Sequence, residues 1–295
     1  MSRLNLSSES LIKTASYASV SISVILIAIK IISYFLTNSL SLLASLMDSG
    51  MDFSASFVNL IAVRQALQPA DNDHRFGHGK AEALGSFIQA VFITLSGLFL
   101  FSEAFHSYFT PRPFQHFDVG LVTMIISIFA SLGLVLLQRW VIRRTNSLSI
   151  KADNAHYTGD IAMNIGVIIS MAFSYYFEAH WIDITFAVAV AFYLLLTAYR
   201  VLKDVFEILM DKELPKEIRQ LIKTTALSHK DVLKIRDLRT RNAGMHHLFI
   251  QFCVELDPNI SLKKAHDTCD ELEKELKIKI PKTQIFIHAE PHLKK

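Results

Sequence analysis

Charge is scarce in these 295 residues: 19% are Asp, Glu, Lys or Arg, against 51% that are hydrophobic. That balance argues against an ordinary soluble domain. Cysteine is scarcer still, and the two present, Cys253 and Cys269, exclude a disulfide framework and fit packing residues in a reducing compartment. No glycine-rich phosphate loop and no HExxH string occurs. The nearest to the latter, HAEPH at 288–292, has proline inside it and a strand-like lead, so a helical zinc-protease site is not expected. The opening MSRLNLSSESLIKTAS has no short apolar core followed by a small-residue cleavage site, so no removable signal peptide is expected. The net charge of +3 is modest and gives no reason to expect a nucleic-acid partner.

What the sequence has in abundance is long apolar runs. A hydrocarbon core of about 30 Å needs about 20 mostly apolar residues per helix. Such runs fall near 14–36, 40–63, 84–108, 118–141, 156–177 and 182–204, which predicts six membrane spans. Lys and Arg in short loops are retained on the cytoplasmic side. Arg3 and Lys13 precede the first span, Arg64, Arg75 and Lys80 lie between the second and third, and Arg139, Arg143, Arg144 and Lys151 lie between the fourth and fifth. The alternate loops contribute only Arg112. Both termini are therefore expected in the cytoplasm.

The composition changes after Arg200, and from Asp211 onward charged residues dominate. The predicted organisation is a six-helix, all-α transmembrane domain over 1–210 and a small cytoplasmic α+β domain over 211–295. Within the latter, LPKEIRQLIKTTALS reads as an amphipathic helix with Pro215 near its first turn, and VLKIRDLRT and HLFIQFCVEL alternate as half-buried strands do. LKKAHDTCDELEKEL then keeps Leu262, Ala265, Cys269, Leu272 and Leu276 on one face, and QIFIHAE closes the domain as a strand. The order αββαβ predicts two helices on one side of a three-stranded sheet.

Inside the second span, Ser45, Asp48, Asp52, Ser56 and Asn59 are spaced 3, 4, 4 and 3, so they share one helix face. The fifth span repeats the arrangement with Asp153, His156, Asp160 and Asn164. Residues at i and i+4 stand about one turn apart, on the order of 6 Å, so both can reach a single ion. Three carboxylates and an imidazole suit a divalent cation such as Zn²⁺, with Fe²⁺ and Mn²⁺ also admissible, whereas Cu(I) would want sulfur. Each ionised Asp at a helix centre costs about 2.5 to 3.5 kcal/mol on insertion scales, which makes two in one span a functional signal rather than a structural accident. Lys30 carries less weight, because a lysine near a helix end can snorkel. A second cluster, Asp71, Asp73, His74 and His78, crowds the loop QPADNDHRFGHGKAE.

SLLASLMDSGMDFSAS, QPADNDHRFGHGKAE and ADNAHYTGDIAMN, with RDLRTR and FIHAEP in the tail, resemble the cation diffusion facilitators, and most closely the bacterial ferrous-iron and zinc efflux subgroup. The resemblance implies a homodimeric antiporter of the inner membrane that exports divalent metal from the cytoplasm in exchange for protons. It also implies a metallochaperone-like cytoplasmic domain. On this reading the partners are a second copy, the bilayer, divalent metal ions and protons. No enzyme activity and no catalytic cofactor is implied, the metal (Zn²⁺, with Fe²⁺ or Cd²⁺ as alternatives) being substrate and regulator.

Matched position by position, Asp48, Asp52, His156 and Asp160 fall at the family's transport site, and Asp71, His74 and His78 at its loop site. Lys80 and Asp211 fall at a charged interlock between the membrane and cytoplasmic parts. His266, His288 and Glu290 fall at positions of a two-metal cytoplasmic site, Glu290 standing where Asp is expected. In the first two strands Arg236 and Cys253 replace expected histidines. Cysteine can ligate zinc and guanidinium cannot, so the tail is expected to hold fewer than two Zn²⁺ per protomer. His292 shares the face of His288 and Glu290 by the strand period of two, while His246 and His247 are expected to be solvated. A membrane metal sensor without flux is the alternative reading. An intramembrane protease would need its aspartates on separate helices.

Overall fold

The computed structural model describes the backbone of residues 7–37, 40–109, 117–177, 180–244 and 247–293. It divides into two units, Met1–Val205 and Phe206–Lys295.

The first unit is built from α1 (Ser8–Thr37), α2 (Leu40–Ala66), α3 (Ala81–Phe109), α4 (Phe117–Thr145), α5 (Leu148–Phe177) and all but the last turn of α6 (His180–Leu209). Among the described residues, four stretches are long and apolar enough to cross a membrane: Ser8–Phe35, Ala81–His106, Leu121–Thr145 and Ile184–Leu209. They belong to α1, α3, α4 and α6. The other two helices, α2 and α5, interrupt their apolar length with Asp52 and Asn59 and with Asp153 and Asp160. Phe35, Phe99 and Phe129 stand exposed on the outside, an arrangement costly in water and favourable against hydrocarbon.

α5 begins at Leu148 rather than near 156. Its first turns bury Ser149, Ile150, Ala152 and Asp153 inside the protein, so the helix extends past the purely apolar run that hydropathy detects. Its start is fixed from a different helix. Glu82, in the first turn of α3, is buried and accepts from Ser147 Oγ at 2.5 Å and from the Ser149 N–H at 3.3 Å. A carboxylate there satisfies an amide otherwise left open at a helix N-terminus and favours the positive end of the helix dipole. The turn from α4 into α5 passes through Asn146 with φ 49°, a left-handed conformation that asparagine tolerates better than most residues.

α1 packs on α2 and α4, α2 on α3, α4 on α5, and α3 on α5, so α2, α3 and α5 surround a common interior. The α2–α3 contact is close: a Cβ built on Gly85 would lie 2.3 Å from Ala62 Cβ. Both atoms are fixed to their backbones, so only helix separation relieves the clash. Gly85→Ala is therefore expected to destabilise the membrane unit by about 1–3 kcal/mol, read as a lower thermal midpoint in detergent. Ala62→Gly in the same chain should restore most of the loss, and failure of that rescue would show that the contact is not the cause.

The second unit has the order α7 (Lys216–Ser228), β1 (Lys234–Asn242), β2 (Leu248–Leu256), α8 (Leu262–Lys279) and β3 (Thr283–Pro291). The sheet order is β1-β2-β3, with β1 antiparallel and β3 parallel to β2. Ile250, Phe252, Val254 and Leu256 of β2 meet Ile222 and Ala226 of α7 and Ala265, Leu272 and Leu276 of α8 in one core. The helices thus cover one face of the sheet. By the period of two, Cys253 and Glu255 belong to the opposite face.

Candidate metal centre and comparisons with known proteins

The interior between α2 and α5 brings Asp52, His156 and Asp160 together, with one ligand atom from each lying within 4.8 Å of the others. His156 Nε2 is 2.9 Å from Asp52 Oδ1 and 3.9 Å from Asp160 Oδ2. The side chains are 4%, 13% and 28% exposed for His156, Asp52 and Asp160 respectively, so the imidazole is the innermost. Helical period explains the convergence. His156 and Asp160 are one turn apart on α5, and α2 presents Asp52 to them from the facing helix. The side chain of Asp48, one turn from Asp52 on α2, lies outside the described residues.

Asp153, one turn below His156, does not join this cluster. Its carboxylate is fully buried and held by donors from three other helices: Ser56 Oγ to Oδ1 at 3.4 Å, Gln89 Nε2 to Oδ1 at 3.1 Å, and Gln138 Nε2 to Oδ2 at 2.7 Å. Ser56 also shares a bond with Tyr157 Oη at 3.1 Å and accepts from Ser19 Oγ at 3.0 Å. Gln89 and Gln138 were absent from the sequence-based site. Each is a buried amide within an otherwise apolar helix, the same signal that marks the aspartates, but without a charge it is weaker. Lys30 does not snorkel. It is buried and donates to Ser49 Oγ at 2.5 Å.

The loop between α2 and α3 gathers Asp71, His74 and His78 into a second three-ligand group. Asp71 Oδ1 lies 3.4 Å from His74 Nδ1, Asp71 Oδ2 lies 3.4 Å from His78 Nε2, and the two rings are 4.5 Å apart. The N–H groups of His74 and Asp73 donate to Asp71 Oδ1 at 2.6 and 3.0 Å. The His74 bond above all holds the Asp71 carboxyl below the ordinary range, so it stays ionised and available to a cation. His78 donates from Nδ1 to Pro69 O at 3.2 Å, which leaves Nε2 as the nitrogen with a lone pair to offer. Asp73 contributes backbone only. Lys80, in the first unit, directly precedes α3. Asp211, in the second, pairs with Arg241 at 3.0 Å.

Among the described residues of the tail no three-ligand group forms. On the open sheet face Arg236 Nη2 lies 2.6 Å from Glu290 Oε2 and Arg236 Nε 3.2 Å from Glu255 Oε1. His292 Nδ1 donates to Glu255 Oε2 at 2.6 Å. Register puts Cys253 opposite both Arg236 and His288, and burial, followed by the charge of Glu290, pushes its thiol up. His266 stands exposed on α8, in the helical layer, with Asp270 at 3.8 Å. His247 is exposed, and His246 lies outside the described residues.

Residues 16–210 match the family described as cation efflux transmembrane domain, and residues 214–292 the cation efflux protein, cytoplasmic domain. The chain is similar to the cation-efflux pump FieF of Klebsiella pneumoniae strain 342, 38% identical over 288 residues that cover 98% of this chain and 95% of that one. It is 40% identical over 281 residues to the cation-efflux pump FieF of Yersinia enterocolitica, covering 95% and 93%. With both halves matched in order and relatives of this identity along nearly the whole length, the chain belongs to the cation diffusion facilitators, membrane transporters of divalent metal cations.

Proposed function

We propose that the protein exports Zn²⁺, with Fe²⁺ and Cd²⁺ as further substrates, from the bacterial cytoplasm in exchange for protons. It works as a homodimer in the inner membrane with both termini inside. The observation that supports this best is the buried group Asp52, His156 and Asp160, with His156 Nε2 2.9 Å from Asp52 Oδ1. Every ligand in it is also a proton acceptor, so cation and protons compete for the same atoms and their flows are coupled. Facing the cytoplasm, the deprotonated set with Asp48 as fourth ligand takes up the cation. Facing outward, protonation of the same groups expels it. The helix pair must rock between the two states, because a fixed open path would dissipate the proton gradient. Asp71, His74 and His78 hold a second cation at the cytoplasmic mouth, and Lys80 and Asp211 serve the link between membrane and cytoplasmic parts.

The test is flux of Zn²⁺ in purified proteoliposomes under an imposed pH gradient. Uptake that follows the gradient supports exchange, while binding without flux would favour a sensor. Apparent Zn²⁺ affinity is expected to fall as pH is lowered from about 8 to about 6, by up to about tenfold per pH unit for each displaced proton. A flat profile would rule out direct competition.

A further inference from the structure

Below the metal centre, towards the C-terminal end of α2 and the N-terminal ends of α3 and α5, the interior holds an excess of oxygen acceptors. Asn59 Oδ1 and Gln89 Oε1 have no hydrogen-bond partner among the described residues, although each residue is only 1% exposed. Such groups are rare in folded proteins and call for an explanation. They are not scattered. Gln89 donates its Nε2 to Asp153 Oδ1 at 3.1 Å, and Ser56, three residues before Asn59 on the same face of α2, points its hydroxyl at the same Oδ1 at 3.4 Å. Asn59 donates to the Ser149 carbonyl at 3.4 Å, one turn before Asp153 on α5. Its Oδ1 lies 3.8 Å from the Cβ position of Gly85, one turn before Gln89 on α3.

We infer that Ser56, Asn59, Gln89 and Asp153 form a second, oxygen-only cation-binding layer, which the substrate cation occupies between the cytoplasm and the Asp52–His156–Asp160 centre. The inference rests on the transporter reading. The layer lies one to two helical turns from that centre, on the side proposed to face the cytoplasm, and it offers one carboxylate and neutral oxygens with no nitrogen or sulfur ligand. Oxygen donors of this kind hold a Zn²⁺-like ion less firmly than a set containing imidazole, and a station on a conduction path must bind weakly enough to release. Gln89 supplies the change of state. An amide is nearly symmetric in shape, so turning it over exchanges Nε2 for Oε1 without further space. Without a cation the N–H faces Asp153, and with one the oxygen does. Gln138, bonded to the other carboxylate oxygen at 2.7 Å, keeps Asp153 in place throughout.

Gln89→Glu in the full-length protein replaces the turning amide by a second carboxylate beside Asp153 and should turn a transit station into a trap. At saturating Zn²⁺ the purified variant is expected to bind one ion more per protomer than the wild type, and its flux to fall by roughly tenfold. Gln89→Met and Asn59→Leu should slow flux while equilibrium Zn²⁺ affinity at the upper centre, which also reports correct folding, stays at the wild-type value. Unchanged stoichiometry in Gln89→Glu, wild-type flux in both neutral variants, or affinity falling in parallel with flux would each overturn the proposal. Absence of Zn²⁺ flux in the wild type would overturn the transporter reading instead, and the Gln89→Glu stoichiometry would still judge the layer.

Discussion

In Asp52→Ala, metal/proton exchange is expected to fall by about 100-fold or more, since loss of mere supporting contacts around a metal ligand already costs about 10–100-fold and Asp52 is proposed as the ligand itself. The geometry explains why no neighbour substitutes. Among the described residues Asp52 Oδ1 is the carboxylate oxygen nearest to His156 Nε2, at 2.9 Å, while Asp160 stands 3.9 Å away and is the more exposed of the two. Removing Asp52 also leaves the 4%-exposed imidazole without the contact that orients it. The substitution lies in the first unit, and the core of the second closes on its own residues. Dimer formation should therefore persist, as light scattering on the purified variant would report. Exchange at the wild-type rate in reconstituted vesicles would sink the assignment of the transport site.

The fold was legible because its signals are periodic. Runs of apolar residues mark the membrane helices, and an alternating pattern such as Ile250, Phe252, Val254 marks a strand with one face in the core. Asp52, His156 and Asp160 could be found because a charge in an apolar segment is a strong departure from its surroundings. Gln89 and Gln138 depart less, being uncharged, and their relation to Asp153 is a three-dimensional one between helices that no spacing along the chain encodes. Glu255 was hidden for a different reason. As the acidic residue of an alternating strand it reads as solvated, and only the pairing of strands shows that Arg236, Lys234 and His292 converge on it.

That convergence decides the expected behaviour of the tail, where residues 211–295 should bind fewer than two Zn²⁺ per protomer. Glu290, expected as a ligand from the resemblance, is held at 2.6 Å by Arg236, whose Nε also reaches Glu255 at 3.2 Å. Asp237, the nearest acid in sequence, is not among the ion-pair partners of Arg236 in the described residues, which are Glu255 and Glu290. A guanidinium cannot give up its charge, so a divalent ion approaching Glu290 meets Coulomb repulsion as well as competition for the carboxylate. The hydrogen bond from His292, ahead of the charges of Lys234 and Arg236, holds Glu255 below its ordinary value of 4.5. Because the folded-state value is depressed, the stabilisation is complete above about pH 4.5 and is lost as pH falls from there through the folded value. Near neutral pH Glu255 is thus ionised, and its pairing with Arg236 stands in the way of metal. Arg236→His removes the fixed charge, frees Glu290 and adds an imidazole opposite Cys253, which in turn stands opposite His288 on the next strand, so calorimetric titration should show more Zn²⁺ bound per protomer than in the unsubstituted tail. Two tight sites per protomer in the unsubstituted tail would show that the network yields to metal, and the obstruction argued here would be wrong.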